Sequence, residues 1–307
     1  MKVYLNRQPK HGPWGGGIKT VNKLVSDLQN RGHEVVHRLV PDLDIIFCID
    51  PRPNDYGEWY QHFLNYRERF RNTKIVQRVG DLGTHSKPEL TDLVRQTLPL
   101  SDFLIFPSEW ARDWIGYQKD NYAIVNNCPM SIFHKHKKLS KELGSPIRLV
   151  THHWSTNPKK GFDIYEQLDD ICKDSSQYEF TYIGRKPEDI NFLNYFAPLE
   201  ADAISKELPN YDIYVTASKE EAGANHVVEA LACGLPVIYH EEGGSILNYC
   251  EGYGLKYYNF EGLKKNIEEI TSNYGFYKEK VLGYDKTNQE VVDSYLNFLE
   301  QIQEGNQ

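Results

Sequence analysis

Short apolar runs alternate along the chain with segments whose apolar residues recur every three or four positions. Such runs are too short for typical helices and predict buried strands. In the first half they cover residues 3–6, 33–36, 44–49, 74–76, 103–106 and 122–125. The helical spacing between the first two runs is set by Ile18, Val21, Leu24, Val25 and Leu28. Gly32 is placed to end that helix as a C-terminal cap.

The same alternation starts again in the second half. Predicted strands cover residues 147–150, 179–183, 213–215 and 236–239, and predicted helices cover 227–233, 263–271 and 289–302. Alternating strands and helices predict an α/β fold with parallel, doubly wound sheets. Because ligands of such sheets bind at the carboxyl ends of the strands, two facing sheets would hold a ligand in a central cleft.

A polar, lysine-rich stretch, residues 134–145, separates the two series and is interpreted as the interdomain linker. The last predicted helix carries Val292, Tyr295, Leu299 and Ile302 on one face. That face needs an apolar surface to cover.

Composition agrees with a globular protein of about two domains, since 307 residues at roughly 150 per domain give two. Hydrophobic residues make up 40% and charged residues 25%, which excludes a disordered, collagen-like or coiled-coil chain. There is no apolar run of membrane-spanning length and no apolar signal region at the start, so we expect a cytoplasmic protein. Five scattered cysteines without a CxxC pair indicate reduced, mostly buried thiols.

Charge is unevenly distributed along the chain. The net charge is −8, from 35 basic and 43 acidic residues. Residues 1–143 hold 21 basic and 16 acidic residues, a balance of +5, which leaves −13 for the remainder. An acidic whole argues against a nucleic-acid partner. The basic first half leaves open an anionic acceptor or peripheral contact with a membrane surface, and equally a surface charge without function.

The most informative segment covers residues 218–238. A strand ends just before it, Gly223 lets backbone amides approach a ligand, and a helix begins near Asn225. The N-terminal amides of that helix are suited to an anionic group. Glu221 precedes the helix, and Glu229 lies about one turn inside it, with seven residues between the two.

This segment resembles the Glu-x7-Glu signature of retaining GT-B glycosyltransferases, in particular glycosyltransferase family 4. The matching positions are Ser218, Glu221, Glu229, Ala230, Cys233, Gly234, Pro236 and Val237. The resemblance implies a GT-B fold, in which two Rossmann-like, doubly wound domains face a central cleft. It implies an acceptor-side domain of residues 1–143 with a returning helix at 286–307, and a donor-binding domain of residues 144–285.

Two further segments resemble parts of the family that contact the donor diphosphate. The glycine-rich loop after the first strand supplies Gly15, Gly16 and Gly17. Lys160 stands directly before a glycine, as in the family's Arg…Lys-Gly segment, but the arginine position falls near Ser155. Either Arg185 or Lys159 would then supply the missing positive charge.

The resemblance also implies roles for the remaining candidates. Glu229 would hold the nucleotide ribose, Glu221 would orient the sugar, and Lys160 would stabilise charge on the leaving diphosphate. Donor contacts are further expected from Ser218, Gly223, Ala224 and Asn225. In the first domain Gly80 stands where many relatives carry a histidine, which makes Asp81 and His85 the catalytic candidates on the acceptor side.

The implied function is the retaining transfer of a sugar from a nucleoside diphosphate sugar to a sugar, glycan, lipid or small-molecule acceptor. No metal and no tightly bound cofactor are expected, because no Asp-x-Asp motif or histidine cluster with ligand spacing occurs. Two alternatives stay open: a nucleotide-sugar epimerase of the same fold, and a nucleotide-sugar-binding protein without turnover. The sequence does not indicate an oligomeric state.

Overall fold

Two parallel six-stranded sheets organise the chain in a computed structural model that describes residues 1–10 and 16–305. Each sheet belongs to its own compact unit. The first unit comprises the described residues of 1–126 and 289–305, and the second comprises residues 127–288. This architecture confirms the predicted α/β fold of two doubly wound sheets.

The sheet of the first unit has the strand order β2-β1-β3-β4-β5-β6, with every neighbouring pair parallel. Its strands are β1 (Lys2–Leu5), β2 (Glu34–Val36), β3 (Ile45–Cys48), β4 (Lys74–Arg78), β5 (Phe103–Phe106) and β6 (Tyr122–Ile124). The helices that precede residue 126 are α1 (Gly16–Asn30), α2 (Tyr60–Arg69), α3 (Pro88–Thr97) and α4 (Glu109–Ile115). All four residues of β3 are buried, as expected for a central strand covered on both faces.

The sheet of the second unit has the order β12-β11-β10-β7-β8-β9 and is again parallel. Its strands are β7 (Ile147–His153), β8 (Tyr178–Gly184), β9 (Asn194–Phe196), β10 (Ile213–Thr216), β11 (Val237–His240) and β12 (Gly254–Tyr257). Its helices are α5 (Ile132–Lys135), α6 (Phe162–Lys173), α7 (Ala201–Glu207), α8 (Asn225–Ala232), α9 (Ile246–Cys250), α10 (Phe260–Ser272) and α11 (Tyr274–Leu282). The strand order reverses between β7 and β10, and this switch point defines where such sheets bind ligands.

The division between the units falls earlier than the lysine-rich stretch predicts. The first unit ends at residue 126 rather than 143, because residues 127–143 pack with the second unit. Phe133 is fully buried in the core that covers one face of the second sheet. Lys138 reaches the buried carboxylate of Asp212 at 2.5 Å. Lys137 and Lys138 therefore attach this stretch to the second unit, although most of residues 134–145 are exposed.

The last helix, α12 (Asn288–Glu304), completes the first unit. The ring of Tyr295 packs edge-on against Phe47 of β3, with 5.8 Å between the ring centroids. The Tyr295 hydroxyl accepts a hydrogen bond from Arg78 Nε at 2.8 Å. Val292, Leu299 and Ile302 are also buried.

Among the described helices, none is long and apolar enough to span a bilayer.

Candidate active site

The carboxyl ends of β7 and β10 bring together the residues of the signature segment and those that precede α6. His152 and His153 are the last two residues of β7, and the loop that follows β10 begins at Ala217. The site is built from these two strand ends, the turn before α6, and the first turn of α8. All of these elements belong to the second unit.

Lys160 is placed by a tight turn between β7 and α6. Asn157 caps this turn, since its Oδ1 accepts the backbone N–H of Lys159 at 3.0 Å. Gly161 follows with φ +80°, and a Cβ there would lie only 2.4 Å from the Cβ of Ala217. Only glycine lets the turn pack this closely against the loop after β10. The backbone N–H of Lys219 bonds to the Lys159 carbonyl at 2.8 Å and joins the two segments.

Both glutamates of the signature are paired with residues of the β7–α6 segment. The ammonium of Lys160 bonds to Oε1 of Glu221. Nε2 of His152 lies 2.9 Å from Oε2 of Glu229. All four side chains are only 11–13% exposed. Because largely buried charges need partners, these two pairs fix the orientations of both carboxylates.

The backbone of Glu221 is held by the loop after β11. Its N–H donates to the Gly243 carbonyl at 3.2 Å, and its own carbonyl accepts the N–H of Ser245 at 2.8 Å. The preceding residue, Glu220, has φ +52°, an uncommon conformation for a residue with a side chain. Glu220 is anchored there by a bond from its N–H to the Glu242 carbonyl at 2.8 Å. Two loops together therefore fix the position of Glu221.

Glu229 is presented by α8, whose N-terminus faces the same loop. The N-cap residue is Ala224, which has no side-chain oxygen to accept the first helical amides. Its own N–H donates to Ser245 Oγ at 3.1 Å. The carbonyl of Gly223 accepts a bond from the Asn127 amide at 3.1 Å. The positive end of the helix dipole thus lies beside the Glu221 loop.

Ser218 stands at the start of the signature loop and is fully buried. Its hydroxyl has no hydrogen-bond partner in the part of the chain that the structure describes. Its backbone N–H bonds to Thr216 Oγ1 at 3.3 Å. Ser218 therefore carries a buried polar group at the start of the signature loop.

A buried layer of aromatic and histidine side chains contacts the start of the signature loop. The Tyr165 hydroxyl accepts the N–H of Ala217 at 2.8 Å and lies 2.6 Å from Nε2 of His153. Burial raises the pKa of Tyr165 to about 12, so that its hydroxyl stays protonated. The rings of His153 and His226 meet at 4.8 Å between centroids. This layer fixes the start of the signature loop on α6.

The two candidates for the missing family arginine differ in their surroundings. Arg185 is exposed, and its guanidinium carbon lies 4.2 Å from the centre of the Trp154 ring. No salt bridge to Arg185 is found within residues 1–10 and 16–305. Lys159, by contrast, is paired with the Glu220 carboxylate. The charge of Lys159 is therefore largely compensated.

The other candidates predicted from sequence lie in the first unit. Asp81 accepts the N–H of Gly83 at 3.0 Å and pairs with Lys87 at 2.9 Å. His85 is half-buried in the same loop between β4 and α3. Gly16 and Gly17 are the first two residues of α1, and Gly15 lies outside the described residues. The site in the second unit contains none of these residues.

Sequence reasoning gave no role to His152, Tyr165 or Ser245. The signal for His152 was its place at the end of an apolar strand, directly before the Lys-Gly turn. Tyr165 and Ser245 gave no signal, because tyrosine on an apolar helix face and serine in a glycine loop are both common.

Among the described residues, no group of three or more His, Cys, Asp or Glu side chains could hold a metal ion.

Comparison with solved structures supports the same architecture. WaaG, a glycosyltransferase involved in lipopolysaccharide biosynthesis, superposes with a TM-score of 0.67 at 13% identity, covering 97% of this chain and 99% of that one. Sucrose-phosphate synthase from Thermosynechococcus elongatus has a TM-score of 0.60 at 14% identity and covers 99% and 97%. HepE from Anabaena, in complex with UDP and glucose, has a TM-score of 0.61 at 14% identity and covers 99% and 98%.

Other similar structures are longer chains, of which this chain spans about three-fifths (60% and 58%). No protein-family model and no curated protein sequence matches the chain. The similarities establish the fold: each unit contains a parallel six-stranded sheet, as in the GT-B glycosyltransferases.

Proposed function

We propose that this protein is a glycosyltransferase that moves a sugar from a nucleoside diphosphate sugar to an acceptor, with retention of the anomeric configuration. One observation carries the proposal: at the switch point of the second sheet, both glutamates of the Glu-x7-Glu segment are held by buried pairs. The pairs lie beside the N-terminus of α8, a place suited to a phosphate. The similarity to GT-B glycosyltransferases supports the assignment.

The donor would be bound by the second unit. Glu229 accepts hydrogen bonds from the ribose hydroxyls, which a carboxylate strengthens. The diphosphate lies against the first turn of α8, near Gly223, Ala224 and Asn225, with the Ser218 hydroxyl as a further donor. Lys160 has three N–H groups, of which one serves Glu221, so others remain for a phosphate oxygen.

Charge on the departing diphosphate would be stabilised by Lys160 and Arg185. We assign Arg185 as the replacement for the missing arginine, because no salt bridge to its guanidinium is found among the described residues. Preorganised cations at a leaving group lower the transition-state energy without reorganisation cost. Glu221, fixed by Lys160, orients the hydroxyls of the sugar.

The transfer breaks the bond between the anomeric carbon and the diphosphate oxygen. The acceptor oxygen then bonds to the anomeric carbon from the same face. The proton of the acceptor hydroxyl passes to the departing diphosphate or to Asp81 or His85, which we assign to the acceptor side. The acceptor would be a sugar, glycan, lipid or small molecule present in the cytoplasm. The glycines at positions 15–17 would contact the donor diphosphate.

The test is a turnover assay with UDP-, GDP-, ADP- and TDP-sugars, each with and without a mixture of sugar, glycan and lipid acceptors. Mass spectrometry would show an acceptor enlarged by one sugar, together with free nucleoside diphosphate, and NMR would show the retained anomeric configuration. An isomerised donor sugar in the absence of acceptor would instead identify an epimerase. Donor binding without any product would indicate a nucleotide-sugar-binding protein.

A further inference from the structure

His152 contacts Glu229 directly and belongs to neither the signature segment nor the Lys-Gly turn. It is the penultimate residue of β7 and is buried. Its Nε2 lies 2.9 Å from Glu229 Oε2. Its backbone N–H bonds to the Tyr214 hydroxyl at 3.1 Å, which fixes the backbone from the neighbouring strand.

Among the described residues, the ring of His152 has one charged partner, Glu229. The rings of Tyr214 and His226 lie edge-on to it, at 5.5 and 6.4 Å between centroids. His226 itself bonds through Nε2 to Thr216 Oγ1 at 3.0 Å. Nδ1 of His152 is buried without a hydrogen-bond partner among the described residues. The hydrogen bond of the His152 ring is therefore directed at Glu229.

We propose that His152 is a positioning residue that presents the Glu229 carboxylate to the ribose of the nucleotide; this inference rests on the proposed function. An ionised Glu229 can only accept, so Nε2 of His152 carries the proton and donates it to Oε2. That bond fixes the rotation of the carboxylate, and in this orientation the carboxylate would accept hydrogen bonds from the two ribose hydroxyls. Without the imidazole, Glu229 loses both its orientation and a partner for its buried charge.

The experiment compares UDP, GDP and ADP with their 2′,3′-dideoxy analogues, in which the ribose hydroxyls are absent. Calorimetry on the wild type should show that the tightest of the three binds more strongly than its dideoxy analogue. In the His152→Ala variant, affinity for the ribonucleotide should fall about tenfold, the loss expected for one hydrogen bond to a charged group. Affinity for the dideoxy analogue should stay within about twofold, so that the preference for ribose is largely lost.

Two further variants separate positioning from a purely structural role. His152→Gln keeps an N–H donor on the same side chain and should recover most of the ribose preference. His153→Ala removes the adjacent buried histidine, whose ring bonds to Tyr165 and Thr151, and should leave the preference intact. In a double-mutant cycle, His152→Ala should cause little further loss once Glu229→Gln is present, because the two act through one carboxylate.

The possible failures are distinguishable. If the wild type binds none of UDP, GDP, ADP and TDP, the proposed function is wrong and this inference falls with it. If it binds TDP alone, whose sugar lacks the 2′-hydroxyl, the assignment of His152 to a pair of ribose hydroxyls is wrong while the proposed function stands. The positioning role is wrong, while the proposed function stands, if the wild type prefers ribose and His152→Ala keeps that preference. The same holds if His152→Ala lowers the affinity for the ribonucleotide and for the dideoxy analogue equally. Additive losses in the double-mutant cycle would also contradict the positioning role.

Discussion

The two signature glutamates differ in their partners, and the separate roles proposed for them rest on this difference. Glu229 is held by an imidazole, whereas Glu221 is bonded to the ammonium of Lys160. Glu229 would contact the nucleotide and Glu221 the sugar. Under the proposed function, the bond between Glu221 and Lys160 would join the residue that orients the sugar to the cation that binds the diphosphate.

Substitution of each glutamate by glutamine tests this separation. Glu229→Gln removes the charge that strengthens two ribose hydrogen bonds, each worth roughly 1.5–3 kcal/mol. It should therefore weaken the binding of the bare nucleoside diphosphate and of the intact donor alike. Glu221→Gln should not weaken the binding of the bare nucleotide, since it removes a negative charge beside Lys160, but it should slow turnover. Calorimetry and turnover assays on both variants measure this. An equal loss of bare-nucleotide affinity would contradict the separation.

A buried lysine outside the site makes stability depend on pH. Lys278 on α11 is fully buried and donates to the Gly234 carbonyl at the end of the signature segment. Burial, together with the nearby charge of Lys138, lowers the pKa of Lys278 to about 7. Above that pH the unfolded chain binds more protons than the folded one. The free energy of unfolding therefore increases as the pH rises from about 7 towards the ordinary pKa of lysine.

The free energy of unfolding should accordingly rise by roughly 2 kcal/mol between pH 7 and pH 9, given 1.36 kcal/mol per pH unit as the upper slope. Lys278→Met should remove this rise, whereas Lys280→Met, on the exposed side of the same helix, should keep it. Urea unfolding at several pH values measures the effect. A rise that persists unchanged in Lys278→Met would show that other groups cause it.

At the scale of elements, the turn before α6 is the part of the site that depends most on backbone geometry. Gly161 combines a positive φ with a close approach to Ala217. Gly116, at the end of α4, has nearly the same φ of +79°, but a Cβ there would meet nothing within 4 Å. The two glycines therefore separate conformational strain from steric contact.

Gly116→Ala should cost only the strain of the left-handed conformation, about 1–2 kcal/mol. Gly161→Ala should cost more, because the new methyl group displaces the turn from the loop after β10, and it should also weaken nucleotide binding through Lys160. Unfolding curves and calorimetry on both variants give the comparison. Equal losses of stability with unchanged binding at Gly161 would show that the close packing of this turn does not position Lys160.

Elements with strong apolar patterns were predicted well from the sequence, and those with weak patterns were not. The buried runs that became β3, β5 and β10 are apolar enough to be recognised alone. The edge strands β9 and β12 were missed, because both are partly exposed and carry mixed residues. The lysines of residues 134–145 suggested a linker, since sequence does not show that they bind carbonyls and Asp212 of the second unit.

The pairing of the candidate site residues was not predicted from the sequence. Glu221, Glu229 and Lys160 were recognised from the motif and are brought together at one strand edge. The contact between His152 and Glu229 joins residues 77 positions apart, and their spacing along the sequence does not predict it. Pairing across the sheet depends on which strands are neighbours, and the motif does not encode that order.

At the scale of the whole molecule, the sheets divide the chain into two units with separate cores. The donor residues proposed here all belong to the second unit, apart from the glycine-rich segment of the first. Nucleotide binding is therefore assigned to one unit and the acceptor to the other.

The most direct test of the central claim is a calorimetric titration of UDP, GDP, ADP and TDP into the wild type, Lys160→Ala and Lys159→Ala. At least one nucleotide should bind the wild type. Lys160→Ala should bind it roughly tenfold or more weakly, the loss of a charged hydrogen bond, whereas Lys159→Ala should bind it like the wild type. No binding by the wild type, or identical binding by all three proteins, would contradict the assignment of this site to the donor diphosphate.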